Sequence, residues 1–251
     1  MTVFAVLLIA VGTADLARSL ISQRPGSAPR SASTSMLVGA VTVWIVAGGA
    51  GLLTGAGWTL TALAMLSVVA WVGLSDHALS GDRGHVIALA ALAAGLLLQL
   101  ILSGWAPPAG GLLAHWLDWS GLPWSPEPGW ALLLAGLVLV QLSTGNLIVR
   151  LVLISTGAML AAPRRHEPSD ELKGGRLLGP LERLFILGLG LSGQVTAAGL
   201  VIAAKGLLRW PELNAHSRKG ATTRIDKVTE YFLVGSFVSW LVALTALALA
   251  S

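Results

Sequence analysis

Runs of apolar residues long enough to cross a bilayer recur along this chain, and that recurrence leaves it few folds to adopt. A helix needs about 20 such residues to span the hydrocarbon core. Seven runs meet or approach that length, at roughly 2–22, 35–54, 58–75, 85–104, 130–160, 181–204 and 229–250. They are continuous and do not alternate with polar residues, which argues against a transmembrane barrel. Only 11% of the 251 residues are charged, against about 25% in a soluble domain, and the mean hydropathy is +0.77. The expected fold is therefore all-α, a polytopic transmembrane helical bundle of about seven spans. The chain has no cysteine, which removes disulfides, thiolate metal sites and cysteine nucleophiles. Its first run lacks the basic start and cleavage site of a signal peptide and is interrupted by Asp15, so it reads as a retained span.

The runs sort into a four-span region, 1–104, a Trp-rich extracytoplasmic loop, 105–128, and a three-span region, 129–251. GAG joins the second and third runs in a tight hairpin, and Gly51 and Gly55 stand at the small-xxx-small spacing of close helix packing. The long loop, WAPPAGGLLAHWLDWSGLPWSPEP, holds Trp105, Trp116, Trp119 and Trp124 and neither Lys nor Arg. Trp favours the membrane–water interface. Leu112, Leu113, Trp116 and Trp119 fall near one helical face, which predicts a short helix lying in that interface. Trp116, Trp119 and Trp124 are the candidate contact surface, for the lipid bilayer itself or for a protein partner. His115 and Asp118 read as solvent-facing. Homo-oligomerisation is compatible with the Gly-rich faces. The net charge of +4 sits in loops, without the basic, aromatic-interleaved patch of a nucleic-acid binder.

Basic residues mark cytoplasmic loops. Arg18, Arg24 and Arg30 place the first linker inside, the unmarked 105–128 loop lies outside, and Arg164, Arg165, Lys173 and Arg176 place 161–178 inside. Seven crossings would then put the basic stretch 205–228 outside, against the rule. Either one run is not a full span, or buried acidic partners neutralise some of these charges.

Ionisable groups at membrane depth cost about 2.5–3.5 kcal/mol each on insertion scales and are usually paired, turned inward or placed along a path. Asp15 lies in the first run, Asn146 and Arg150 in the fifth, Glu182, Arg183 and Lys205 around the sixth, and Glu230 opens the seventh. Arg183, Gln194 and Lys205 are spaced by eleven residues, so on one continuous helix they form a line of about 33 Å, at 3.6 residues per turn and 1.5 Å per residue. That line reads either as two snorkelling anchors around Gln194 or as a polar stripe facing the bundle core. Glycines 188, 190 and 193 favour the stripe. Glu182, Glu230 and Asp15 are the candidate partners of Arg150. The candidate core is Asn146, Arg150, Glu182, Arg183, Gln194, Lys205 and Glu230.

GGRLLGPLERL, AAKGLLRW and EYFLVGSFVS, in that order, resemble bacterial membrane proteins grouped as domain-of-unknown-function family 3307. The matching positions are Gly175, Arg176, Gly179, Glu182 and Arg183, then Ala203, Ala204, Lys205, Arg209 and Trp210, then Glu230, Tyr231, Gly235 and Ser239. The resemblance covers about 174–240. The first half departs from the family's opening, with only Gly12, Ala14 and Asp15-Leu16 in its place. It implies no activity, and suggests that the charges around the last two runs act as one unit.

No nucleotide loop, zincin motif or nucleophile elbow is present, so an enzyme is not the favoured reading and no cofactor is implied. DHALSGDRGH gathers Asp76, His77, Asp82 and His85 without a helical His pair, and carries no metal assignment. Two function classes remain for a multi-pass protein of the bacterial inner membrane. One is a transporter or channel for an ion or a small or lipid-linked solute. The other is a non-catalytic scaffold, sensor or assembly subunit. Internal repeats would favour transport, and no convincing repeat is found.

Overall fold

The computed structural model describes residues 1–22, 28–81, 83–121, 126–159, 175–204, 207 and 222–251, with the backbone alone for 28–31, 175–176 and 222–229. Most of these residues are helical, as the apolar runs require. In order they form α1 (Thr2–Ile21), α2 (Ala28–Gly49), α3 (Gly57–Ser80), α4 (His85–Leu102), a 3-10 turn (Ser103–Trp105), α5 (Gly111–Ser120), α6 (Pro128–Leu139), a π-helical turn (Val140–Thr144) and α7 (Gly145–Ser155). Then come α8 (Gly175–Leu191), α9 (Val195–Ala204) and α10 (Thr222–Ala250). Among the described residues, six helical stretches are long and apolar enough to cross a membrane: Thr2–Ile21, Ala32–Gly49, Gly57–Ser80, His85–Trp105, Pro128–Ser155 and Glu230–Ala250. Two compact units divide the chain, Met1–Thr144 and Gly145–Ser251.

The first unit is built around α1, which packs against α2, α3, α4, α6 and the π turn. From Thr2 to Val11 every α1 side chain is buried, so its apolar character all round is that of a central helix. Close approaches fix its neighbours. A Cβ on Gly136 would meet Leu8 Cβ at 2.8 Å, and one on Gly12 would meet Leu139 Cβ at 2.7 Å. Residue numbers rise together across that contact, so α1 and α6 run parallel. The bonds of Asp15 to Trp71 and of Arg18 to Ser75 make α1 and α3 parallel as well. Gln99 bonds Leu60 while Gly95 faces Ser67, so α4 runs antiparallel to α3. This alternation is what successive membrane crossings produce.

The hairpin between α2 and α3 differs from the sequence expectation. The second run stops at Gly49, and Ala50–Ala56 are not helical. Gly51, at φ +68°, ends α2: its N–H bonds Gly48 O and the Leu52 N–H bonds Ala47 O, the paired closure of a glycine-stopped helix. Gly51 and Gly55 therefore serve the turn and do not pack one helix on another. The turn also positions α5. Gly110 N–H bonds Ala50 O, and a Cβ on Gly111 would lie 3.0 Å from Gly49 O.

In the second unit, Arg183 bonds Ser239, and a Cβ on Gly190 would collide with Leu247. Residue numbers again rise together, so α8 and α10 are parallel and begin at the same end. A Cβ on Gly235 would touch Val149 and Leu153, while Arg183 links Asn146 to Ser239, so α7 runs antiparallel to α10. The sixth run is two helices. Gly193, at φ +74°, stops α8: its N–H bonds Gly190 O and the Gln194 N–H bonds Leu189 O. Ala198 of α9 then packs with Ile186 and Ala243 in one apolar cluster. Twelve residues of straight helix would separate Ile186 from Ala198 by about 18 Å, so α9 folds back beside α8. The end of α9 and the start of α10 therefore lie at the end of the unit where α8 began, and the sixth run is not one full span.

Because the native chain has no cysteine, single introduced cysteines report sidedness cleanly. Leu177→Cys and Tyr231→Cys should be labelled by an impermeant thiol reagent from the same face of sealed vesicles. Labelling from opposite faces would contradict the parallel arrangement of α8 and α10.

Candidate functional site

Among the described residues, each unit buries charged side chains. In the second unit the centre is Arg183, 1% exposed on α8. Its Nη2 donates to Asn146 Oδ1 (2.8 Å) and its Nη1 to Ser239 Oγ (3.1 Å). One guanidinium thus ties α8 to α7 and α10, the forked use to which Arg is suited. Two glycines make room for it. A Cβ on Gly145 would lie 2.7 Å from Arg183 Nε, and one on Gly179 would lie 3.3 Å from Asn146 Oδ1.

The sequence-derived core is drawn together only in part. Asn146 and Arg183 meet directly. Arg150 and Glu182 are half-buried. Gln194 and Glu230 are exposed, and Lys205 lies outside the described residues. The line Arg183–Gln194–Lys205 does not form, since it needs one continuous helix and Gly193 ends α8 before Gln194. Of the three glycines read as packing contacts, Gly190 is one, Gly188 has nothing within 4 Å, and Gly193 is the helix stop. Ser239, absent from the candidate core, is the missing acceptor of Arg183.

The first unit holds a second centre, of which the sequence shows only fragments. Asp15 on α1 is 4% exposed. Its Oδ2 accepts from Trp71 Nε1 (3.0 Å) and from Thr144 Oγ1 (2.8 Å). Its Oδ1 has no hydrogen-bond partner among the described residues. Arg18, one turn on and 7% exposed, bonds Ser75 Oγ and Val72 O, each at 2.9 Å. The π turn completes the arrangement, because its extra residue directs both Ser143, bonded to Gly12 O at 3.0 Å, and Thr144 toward α1. Such turns recur at functional sites. Arg18 reads in the sequence as a topology marker; its spacing of three from Asp15 on a mostly apolar helix is the available signal.

The Trp-rich loop contains the predicted short helix, α5. Trp116 and Trp119 are exposed on it, Trp119 at 83%, and Leu117 is buried. Trp124 lies outside the described residues. Trp116 and Leu117 border an apolar groove of about 350 Å³ against Trp130, Leu134, Ala135 and Val138. His115 and Asp118 are exposed.

No family model, no curated protein and no solved structure matches this chain.

Gly145→Ala should lower stability in detergent by about 1–3 kcal/mol, the cost of overpacking a filled site. Gly188→Ala, in open space inside α8, should be neutral or stabilising by up to about 1 kcal/mol. Thermal unfolding of both variants checks the pair, and equal effects would contradict the packed guanidinium site.

Proposed function

We propose that this chain is a non-catalytic membrane subunit, a scaffold that holds its buried charges in hydrogen bonds between helices. The observation that carries this reading is the use made of Arg183, whose guanidinium spans three helices and fills the space left by Gly145 and Gly179. Arg18 does the same between α1 and α3. Both cations are spent on tethers inside close packing, and α1 is enclosed by its neighbours. A solute path has the opposite requirement, a polar lining that water reaches.

The bilayer is the first partner, met by the apolar faces of the spanning helices. The exposed Trp116 and Trp119 supply the surface for a protein partner, since aromatic residues are enriched in such contacts. A multi-pass place in the bacterial inner membrane follows from the family resemblance and from the loop charges. The transport reading is favoured by one observation, the unsatisfied Oδ1 of the buried Asp15, because charges at this depth often mark ion pathways.

Asn146→Ala separates the two readings. It leaves Arg183 one acceptor short and should cost about 1.5–3 kcal/mol of stability, the worth of a hydrogen bond to a charged group. In a scaffold, proteoliposomes of the native chain and of the variant should conduct protons and monovalent ions no faster than protein-free vesicles. Flux that rises with native protein and falls in the variant at equal load would contradict the proposal.

A further inference from the structure

We infer that Asp15 is a proton-binding site inside the membrane, with Oδ1 as the atom that takes the proton. The inference is independent of the scaffold reading and rests on the first unit alone.

The carboxyl lies about 20 Å along α1 from Thr2, at 1.5 Å per residue, with 4% of the residue exposed. Trp71 and Thr144 hold Oδ2 and fix the plane of the carboxyl. Oδ1 points into the same packed interior with no donor among the described residues. Taking a charged oxygen out of water without replacing its hydrogen bonds is unfavourable, and buried ionisable groups neutralise in response. Arg18 does not fill the gap. Its two Nη atoms are bound to Ser75 Oγ and Val72 O, and its Nε has no partner among the described residues.

The surroundings narrow the ligand to a proton. Arg18 is the charged group that acts on Asp15 most directly. Among the elements packed on α1, the described side chains of α2, together with α6, the π turn and the 3-10 turn, contain no titratable residue. α3 adds Asp76 and His77 beyond Ser75, and α4 adds His85 at its start. A metal ion would need several further oxygen or nitrogen ligands. Among the described residues, no group of three or more His, Asp or Glu side chains is placed to hold one. A proton needs only Oδ1. Hydronium gives it up and leaves as water, the O–H bond forms at Oδ1, and the site passes from an anion to a neutral acid. Trp71 and Thr144 continue to donate to Oδ2, so uptake proceeds without dismantling the contacts of α1.

Infrared difference spectra of the full chain in lipid nanodiscs, taken from alkaline to acid pH, test this. Every carboxylate protonated over this range adds a protonated-carboxyl component, and the component of Asp15 should be missing in Asp15→Asn and present in Asp118→Asn, whose carboxyl is exposed. Asparagine retains an oxygen for Trp71 and Thr144, which favours a folded variant. A difference spectrum that Asp15→Asn leaves unchanged would overturn the inference. Should Asp15→Asn not fold, Thr144→Val gives the second reading. Loss of a donor to Oδ2 weakens the hold on the anion, so the Asp15 component should persist to a higher pH than in the native chain, and an unchanged titration would likewise overturn it.

Discussion

A polar group inside a bilayer has no water to fall back on, so burying one is costly unless another part of the chain answers it. That constraint organises α1. Asp15 and Arg18 stand one turn apart on it and reach different partners: Asp15 takes Trp71 and Thr144, and Arg18 takes Val72 and Ser75. These bonds set the register of α1 against α3 and against the π turn. Apolar packing alone would leave that register loosely specified, since lipid tails are as apolar as Leu and give helices little reason to prefer each other. Glycines do the complementary work, with Gly12 and Gly136 bringing α1 and α6 to backbone distance.

The second unit applies the same physics with one cation. Arg183 is answered by Asn146 and Ser239, and the missing side chain of Gly145 leaves the space that its guanidinium occupies. The parallel course of α8 and α10 then follows from the helix stop at Gly193. A continuous helix would have carried the chain onward; the turn at 192–194 sends α9 back alongside Ile186. The end of α9 and the start of α10 therefore lie at the end of the unit where α8 starts.

The helical fold and most of the spans were legible because each rests on a local property, an unbroken apolar run of bilayer length. The stop at Gly193 was also local: glycine followed by a polar residue near the end of a helix is a stop signal, but with Gly188 and Gly190 beside it the same residue reads as a packing glycine. The hairpin misled for a related reason, since Gly51 and Gly55 match a packing motif while their φ values belong to a turn. The polar centres were legible only in part. Arg183 and Asn146 drew notice as polar residues in apolar runs. Ser239, Ser75 and Thr144 are too ordinary in a membrane helix to stand out, and Trp71 lies 56 residues from the carboxylate it serves. Nothing local marks the π turn either, as its extra residue leaves the apolar run intact.

The central claim is that buried charges here are tethers between helices, and a double-mutant cycle on Arg18 and Ser75 tests it most directly. Arg18→Met, Ser75→Ala and the double variant would be compared by equilibrium unfolding in one detergent. A working tether predicts a coupling of about 0.5–3 kcal/mol, the range for residues in direct contact. Strictly additive effects would mean that the Arg18–Ser75 bond is not a working tether between α1 and α3, and would contradict the account.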